Sequence, residues 1–191
     1  MPRPHFIYSF AASIDGFVAD AKGGVEWLNA FNDADYGLEE FFNSMDAIVM
    51  GRKTYEVALK LGGMPPMGSM RVIVLSNTLK PAKHKKVEIW SKSVAALAAD
   101  LEKKGAKRVW VMGGGITSSS FLDAGLLDEV EIATMPVVLG KGIPMFGKAH
   151  KAVRFGLARI RQFDNGVVVR SYQLKESAIP KGKTQARRAK K

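Results

Sequence analysis

Small, hydroxyl-bearing and basic residues follow three of the apolar runs in this sequence, in positions that suit an anionic ligand. Glycine lets a backbone approach a phosphate closely, and helix N-termini and cationic side chains attract its charge. Ligands of open α/β sheets collect at the carboxyl ends of the strands. The three groups therefore predict one site for a ligand with several phosphates, such as a dinucleotide with an extra 2′-phosphate. They are Gly51, Arg52, Lys53 and Thr54; Leu75, Ser76 and Asn77; and Gly113, Gly114, Gly115, Ile116 and Thr117.

Each group taken alone also has a purely structural interpretation. Clustered glycines permit close packing of a strand on a helix, a basic pair suits a solvated helix end, and Ser and Asn are common turn residues. The glycine group lacks the Rossmann pattern, because Ser118 stands at the sixth position and no acidic residue ends the next predicted strand near Thr134. Only the coincidence of three such groups favours the ligand site.

Catalytic and metal-binding patterns are scarce in the rest of the sequence. Asp15 and Asp35 are the candidate catalytic carboxylates, although Asp15 also suits an Asx-turn and Asp35 a helix cap. His5, His84 and His150 lack the spacing of metal ligands, and the absence of cysteine excludes thiolate zinc sites and disulfides. The nucleophile motifs of hydrolases are absent as well. This inventory fits a reductase, because hydride transfer uses a cofactor and needs no protein nucleophile.

Apolar periodicity predicts alternating strands and helices, and so an α/β fold with three α/β/α layers around a mostly parallel sheet. An antiparallel hairpin at the C-terminal end is indicated by the Asp-Asn-Gly turn at 164–166. Pro136 predicts either a bulge or an unpaired N–H within one long strand. The predicted strands are 6–12, 47–50, 72–75, 87–90, 108–112, 130–139, 155–163 and 167–174; the predicted helices begin near 38, 52, 94 and 115.

The charge is uneven along the chain, which has 29 basic and 18 acidic residues and a net charge of +11. Much of the excess lies in residues 175–191, which we expect to be a disordered basic tail behind a reductase domain at 1–174. Such a tail serves solubility or contacts nucleic acid. No apolar run is long enough to span a membrane, and the lack of cysteine fits a cytoplasmic protein. Residues 62–70 suit either a mobile lid or an ordinary loop.

Six segments, in this order, resemble the dihydrofolate reductase-like superfamily, and most closely the reductase domain of bifunctional riboflavin-biosynthesis deaminase–reductases. The resemblance covers residues 5–174 and implies NADPH as cofactor, a small-molecule substrate and a homodimer. It also implies a cis peptide bond between Gly113 and Gly114. The matching segments are 12–19, 46–56, 72–77, 111–115, 125–130 and 136–146.

The resemblance further implies a role for each candidate residue. Arg52 and Lys53, with Ser76 and Asn77, would bind the 2′-phosphate and adenosine end, and Thr54 with the turn at 113–117 would bind the pyrophosphate. Asp15 or Asp35 would orient the substrate or relay a proton. Further positions along the cofactor are Ala12, Ser13, Gly16, Gly51, Leu75 and Met112.

Two residues depart from the riboflavin reductases. Phe17 replaces a basic residue and Met112 replaces a glutamate, which favours a more apolar substrate pocket. We therefore expect a reductase of a small heterocyclic or sugar-like substrate, related to the enzyme that reduces 5-amino-6-(5-phosphoribosylamino)uracil. The alternatives are a dihydrofolate reductase proper and a non-catalytic module that binds nucleotides or nucleic acid.

Overall fold

The computed structural model describes residues 2–62, 70–80, 87–148 and 152–175. Their strands are β1 (His5–Ser13), β2 (Phe17–Asp20), β3 (Ala47–Gly51), β4 (Arg71–Leu75), β5 (Glu88–Trp90), β6 (Arg108–Gly113), β7 (Leu127–Met135), β8 (Gly142–Pro144), β9 (Phe155–Gln162) and β10 (Val168–Leu174). Their α-helices are α1 (Leu38–Asn43), α2 (Arg52–Lys60), α3 (Val94–Lys103) and α4 (Gly115–Asp123), and a 3-10 helix spans Glu26–Phe31.

Eight strands form one sheet in the order β5-β4-β3-β6-β1-β7-β10-β9, while β2 and β8 form a separate ribbon. The six strands from β5 to β7 run parallel, and β10 is antiparallel to both β7 and β9. The predicted mostly parallel sheet with an antiparallel C-terminal hairpin is confirmed. The parallel pairing brings Ser13, Gly51, Leu75, Trp90 and Gly113 to one edge of the sheet, which we call the carboxyl edge.

Alternating side chains of the central strands bury the two faces of the sheet under different helices. Tyr8 of β1 packs in one cluster with Leu101 of α3 and Phe121 of α4. Ile7 points to the opposite face and packs in a second cluster, with Phe41 of α1 at its margin. Burying each such side chain contributes roughly 1.5–3 kcal/mol, so both helical layers are held by apolar contact. The three-layer arrangement is the predicted one.

The prediction of a long strand that continues over 130–139 past Pro136 is wrong. Strand β7 begins three residues earlier and ends at Met135, directly before the proline. Proline has no N–H to donate to a neighbouring strand. The chain turns there instead, and the Val137 N–H donates to the Met135 carbonyl at 2.7 Å. The β2–β8 ribbon and the 3-10 helix were not predicted, because four- and three-residue strands leave almost no periodic signal.

The first helix begins at Leu38, as predicted, but without a carboxylate cap. Its N-cap is Gly37 in a left-handed conformation (φ 76°), and Asp35 accepts a hydrogen bond from the Gly37 N–H at 2.8 Å. The chain therefore enters α1 through a turn that Asp35 closes. Most of the predicted lid at 62–70 and all of the predicted tail except Lys175 lie outside the described residues. No helix in the described ranges is both long and apolar enough to cross a bilayer.

Candidate active site at the carboxyl edge

Two strand-to-helix turns at the carboxyl edge pack directly against each other. A Cβ atom on Gly51, between β3 and α2, would lie 2.6 Å from the Thr117 Oγ1 atom of α4. A Cβ on Gly114, between β6 and α4, would lie 3.5 Å from Thr54 Oγ1 of α2. The Gly113–Gly114 peptide bond is cis, as the resemblance implies, and Gly113 has a φ of 116°. The N-termini of α2 and α4 consequently lie next to each other at the carboxyl edge.

A cleft of about 740 Å³ lies beside these turns, at the carboxyl ends of β4 and β5. The Arg52 guanidinium enters it from the first turn of α2 and donates from Nη1 to Thr78 Oγ1 at 2.9 Å. The Ser76 hydroxyl accepts hydrogen bonds from the N–H groups of Thr78 (3.2 Å) and Leu79 (3.0 Å), which fixes the loop after β4. The polar and aromatic residues of the lining include Arg52, Ser76, Asn77, Thr78, Trp90 and Lys92. Two of the three predicted groups thus share one cleft.

Six lining residues were missed by the sequence reasoning: Ser91, Ser93, Val94, Ser120, Trp90 and Lys92. The signal for the last two was present, because the predicted strand at 87–90 is followed by the polar run at 91–93. Polar or basic residues directly after an apolar strand indicated the other parts of the site, and the residues after this strand show the same pattern. Lys53, by contrast, is exposed and is not among the residues that line the cleft.

The loop between β1 and β2 is fastened to the loop that follows β7. The Ile14 N–H donates to the Val137 carbonyl at 2.8 Å. Both carboxylate oxygens of Asp15 accept backbone N–H groups, from Leu139 at 3.1 Å and from Gly140 at 2.7 Å. The Ser13 hydroxyl and these two amides hold the pKa of the Asp15 carboxyl below its usual range. An ionised carboxylate in this position suits holding the loop in place better than donating a proton.

A second connection joins the same loop to the start of α4. The Met145 N–H donates to the Gly16 carbonyl at 3.1 Å, and the buried Tyr8 hydroxyl donates to the Met145 carbonyl at 2.5 Å. Burial raises the pKa of Tyr8 to about 12, so its hydroxyl stays protonated and keeps donating at neutral pH. The Gly147 N–H in turn donates to the Gly115 carbonyl at 3.0 Å. Residues 144–147 therefore link the loop at 13–16 to the glycine turn.

A family model described as the RibD C-terminal domain matches residues 4–169. The chain belongs to the RibD C-terminal domain family. The protein YwjB of Bacillus subtilis (strain 168) is 29% identical over 168 residues, which are 87% of this chain and 96% of YwjB. A crystal structure from Shewanella sp. PV-4, of a protein assigned to riboflavin biosynthesis, has a TM-score of 0.81 and 30% identity, covering 90% of this chain and 99% of that one.

The resemblance to the dihydrofolate reductase-like superfamily is confirmed at the level of the fold. The dihydrofolate reductase of Enterococcus faecalis, solved in complex with NADP(H), superposes with a TM-score of 0.65 at 16% identity. The superposition covers 90% of this chain and 97% of the reductase.

Within this RibD C-terminal domain, several predicted site residues lie apart from the cleft. Phe17 packs on β8, where a Cβ on Gly142 would lie 3.0 Å from the Phe17 Cβ. Met112 is half-buried at the margin of the apolar cluster under α1. Asp35 lines a different groove, together with the acidic Glu39 and its neighbours on α1. The structure does not bring these three residues together with Arg52.

The remaining predicted residues lie along the carboxyl edge. Ala12 is buried near the carboxyl end of β1, where it pairs with Thr134 of β7. Leu75 lines the cleft beside Ser76. Ile116 stands at the start of α4 with 79% of its side chain exposed, so it offers apolar contact surface next to the glycine turn.

Proposed function

We propose that this chain is an NADPH-dependent oxidoreductase that transfers hydride to the carbon of a C=N or C=O group in a small heterocyclic or sugar-like substrate. One observation carries the proposal: the first turn of α2 contributes Arg52 to the cleft and Thr54 to the contact with Gly114. A ligand that follows this turn would meet a guanidinium at one end and glycine backbone at the other. That sequence of groups matches an adenosine phosphate followed by a pyrophosphate.

Membership in the RibD C-terminal domain family supports reductase chemistry. The NADP(H) complex of the Enterococcus faecalis enzyme shows that the shared fold can hold this class of dinucleotide in a relative. When bound, NADPH would supply the hydride. The chain itself would then bind and orient the two reactants.

The proposed contacts divide along the edge of the sheet. Arg52, Ser76 and Asn77 would hold the 2′-phosphate and adenosine end in the cleft. Thr54 and the turn at 113–117 would hold the pyrophosphate, where Gly51 and Gly114 leave room for the backbones to meet. The loop at 13–16, which Asp15 fastens to Leu139 and Gly140, would lie along the nicotinamide. Asp15 acts in this proposal as a positioning residue.

The substrate end of the site is proposed to be weakly charged. Phe17 and Met112 put no charge at the two positions where the riboflavin reductases carry a basic and an acidic residue. A substrate that depends on those two charges for recognition would lose affinity here. Dihydrofolate gains no support from Asp35, because that carboxylate closes an exposed turn before α1 and lines another groove.

Dinucleotide titration tests the proposal directly. The quenching of tryptophan fluorescence would be followed as NADPH or NADH is added to the protein and to Arg52→Ala. We expect NADPH to bind more tightly than NADH, and Arg52→Ala to weaken NADPH by about tenfold through the loss of a charge-assisted contact. Lys60→Ala, which removes a charge from the other end of the same helix, is the matched control and should leave both affinities unchanged. If neither dinucleotide binds, the proposed function is wrong.

We also propose the homodimer that the resemblance implies. One face of the edge strand β9 exposes Leu157 (55%) and Ile160 (52%), and apolar surface of this kind marks association sites. Light scattering of the protein and of Leu157→Lys/Ile160→Lys would show a dimer that the double substitution dissociates. The cytoplasmic location and a role of the basic tail in nucleic-acid binding stay predictions.

A further inference from the structure

The guanidinium of Arg52 is already partly neutralised within the protein. Its Nε atom lies 3.5 Å from Glu56 Oε1, one helical turn further along α2, and its Nη1 atom donates to Thr78. A phosphate monoester carries about −1.5 to −2 charges at pH 7. Arg52 and Glu56 together contribute almost no net charge, so a second cation is needed to balance such a group at this end of the cleft.

Lys92 is the cation that the fold brings there. It follows β5 and lines the cleft with Arg52, and its Nζ atom lies 5.9 Å from the centroid of the Trp90 ring. The Trp90 ring is fixed in turn, because its indole N–H donates to the Ser93 carbonyl at 3.2 Å. The ion pairs formed among the described residues do not include Lys92. Its charge is therefore available to a ligand.

Among the described residues, Lys53 is adjacent to Arg52 in the chain but does not offer the same contact. Lys53 is exposed beside Arg52 but does not line the cleft. Sequence reasoning paired Lys53 with Arg52 because the two are adjacent in the chain. In the folded protein the residue that faces the same cleft comes from a strand end forty positions away along the chain.

We propose that Lys92, held over the Trp90 ring, is the second cation for the monoester phosphate and sets the preference for a 2′-phosphorylated dinucleotide over an unphosphorylated one. This inference rests on the proposed function and adds a residue that determines specificity. A cation placed against an aromatic face loses little attraction to an anion, because the ring holds it electrostatically without neutralising its charge. Trp90 consequently orients the ammonium and leaves it free to bind the phosphate.

The test compares Lys92→Gln with Lys53→Gln, two substitutions that remove the same charge, the first from the cleft lining and the second from outside it. Affinities for NADPH, NADH, adenosine 2′,5′-bisphosphate and AMP would be measured by calorimetry. We expect Lys92→Gln to weaken NADPH and the bisphosphate by about tenfold, as befits one charge-assisted contact, and to leave NADH and AMP unchanged. Lys53→Gln should change all four affinities by less than about twofold. Trp90→Phe, which retains an aromatic ring under Lys92, should keep most of the preference for NADPH over NADH. Trp90→Leu, which removes the ring, should lower that preference.

The outcomes separate the two proposals. A protein that binds none of the four compounds overturns both the proposed function and the role of Lys92. A protein that prefers NADPH, with the same preference in Lys92→Gln, overturns only the role of Lys92. Equal losses in Lys92→Gln and Lys53→Gln would mean that general positive charge is responsible and would also overturn it. Urea unfolding of each variant shows whether a loss comes from the fold, because a folding defect would weaken NADPH and NADH alike.

Discussion

The two edges of the central sheet use charged residues in opposite ways. At the amino ends of the strands, charges pair within the protein: Arg71 at the start of β4 lies 2.5 Å from Glu88 and 3.5 Å from Asp100. There Asp46, just before β3, accepts the N–H groups of Lys107 (2.7 Å) and Arg108 (2.9 Å). The contacts of Arg71 pair opposite charges, and both sets of contacts tie neighbouring elements of the sheet together.

At the carboxyl edge the arrangement is open. Arg52 and Lys92 extend into a cleft, and the glycine turns at the starts of α2 and α4 leave backbone N–H groups at the helix N-termini. Equal charges therefore have different surroundings at the two edges. Those at the amino edge pair with one another, whereas Arg52 and Lys92 at the carboxyl edge line a cleft. Substitutions should therefore separate stability from binding.

The largest effect is expected from Gly115→Ala at the carboxyl edge. The new methyl group would lie 2.8 Å from both the Pro144 carbonyl oxygen and the Gly147 nitrogen, and backbone atoms cannot move aside cheaply. We expect the free energy of unfolding in urea to fall by about 2–3 kcal/mol. Gly156→Ala is the control, since its methyl group meets only the flexible Lys175 side chain and should cost less than about 1 kcal/mol. Equal losses at both positions would mean that close packing at α4 is unimportant.

A smaller effect is expected at the amino edge. Arg71→Met leaves Glu88 and Asp100 without their shared partner, and because all three side chains are partly exposed the loss should be about 1 kcal/mol. The affinity for NADPH should not change, whereas Arg52→Ala should lower that affinity and leave stability unchanged. Urea unfolding and dinucleotide titration of both variants check this reciprocal pattern. A loss of NADPH affinity in Arg71→Met would contradict the division between the edges.

The smallest effect concerns Asp15, a carboxylate at the carboxyl edge that is paired within the protein. The pKa of Asp15 is lowered in the folded state, so its contribution to stability is present above its ordinary pKa and disappears as the pH falls below about 4. Asp15→Asn should therefore be less stable than the natural chain at pH 7, and the difference should shrink steadily as the pH falls below about 4. Urea unfolding across this range measures the difference.

Asp20→Asn provides the control for Asp15. Asp20 accepts the N–H groups of Lys22 and Gly24 at the end of β2, and its pKa is lowered for that reason. Its loss should show the same dependence on pH. Only Asp15→Asn should also weaken NADPH, because only Asp15 fastens the loop at 13–16 to Leu139 and Gly140. A weakening of NADPH by both variants would remove Asp15 from the site.

Local patterns predicted the sheet and much of the candidate site. Buried runs such as 47–50 and 72–75 give the strands, and glycine, hydroxyl and basic residues after them give the edge where Arg52 and Ser76 meet. What escaped prediction depends on distant parts of the chain. Asp15 accepts hydrogen bonds from Leu139 and Gly140, which are more than 120 positions away in the sequence. The local sequence instead favours an Asx-turn at Asp15.

The end of β7 and the residues that line the cleft also depend on parts of the chain that are distant in sequence. Strand β7 ends at Met135 because the chain turns after it, where the Val137 N–H donates to the Met135 carbonyl. The apolar residues that follow Pro136 look in the sequence like a continuation of the strand, so the turn is not predicted. The sequence pattern indicates Lys53 beside Arg52 and leaves Lys92 out, while the helix geometry of α2 directs successive side chains about 100° apart. Which basic residue enters the cleft is decided by the order of strands in the sheet, and that order is a property of the whole fold.

Strand β5 has only three residues and stands at one end of the sheet, with β4 as its partner among the described strands. Short terminal strands open locally at far lower free energy than central ones. Transient detachment of β5 would carry Trp90 away from the cleft while the glycine turns stay folded. Release of the proposed dinucleotide would then begin at its adenosine end, and amide hydrogen exchange at Trp90 would slow in proportion to occupancy.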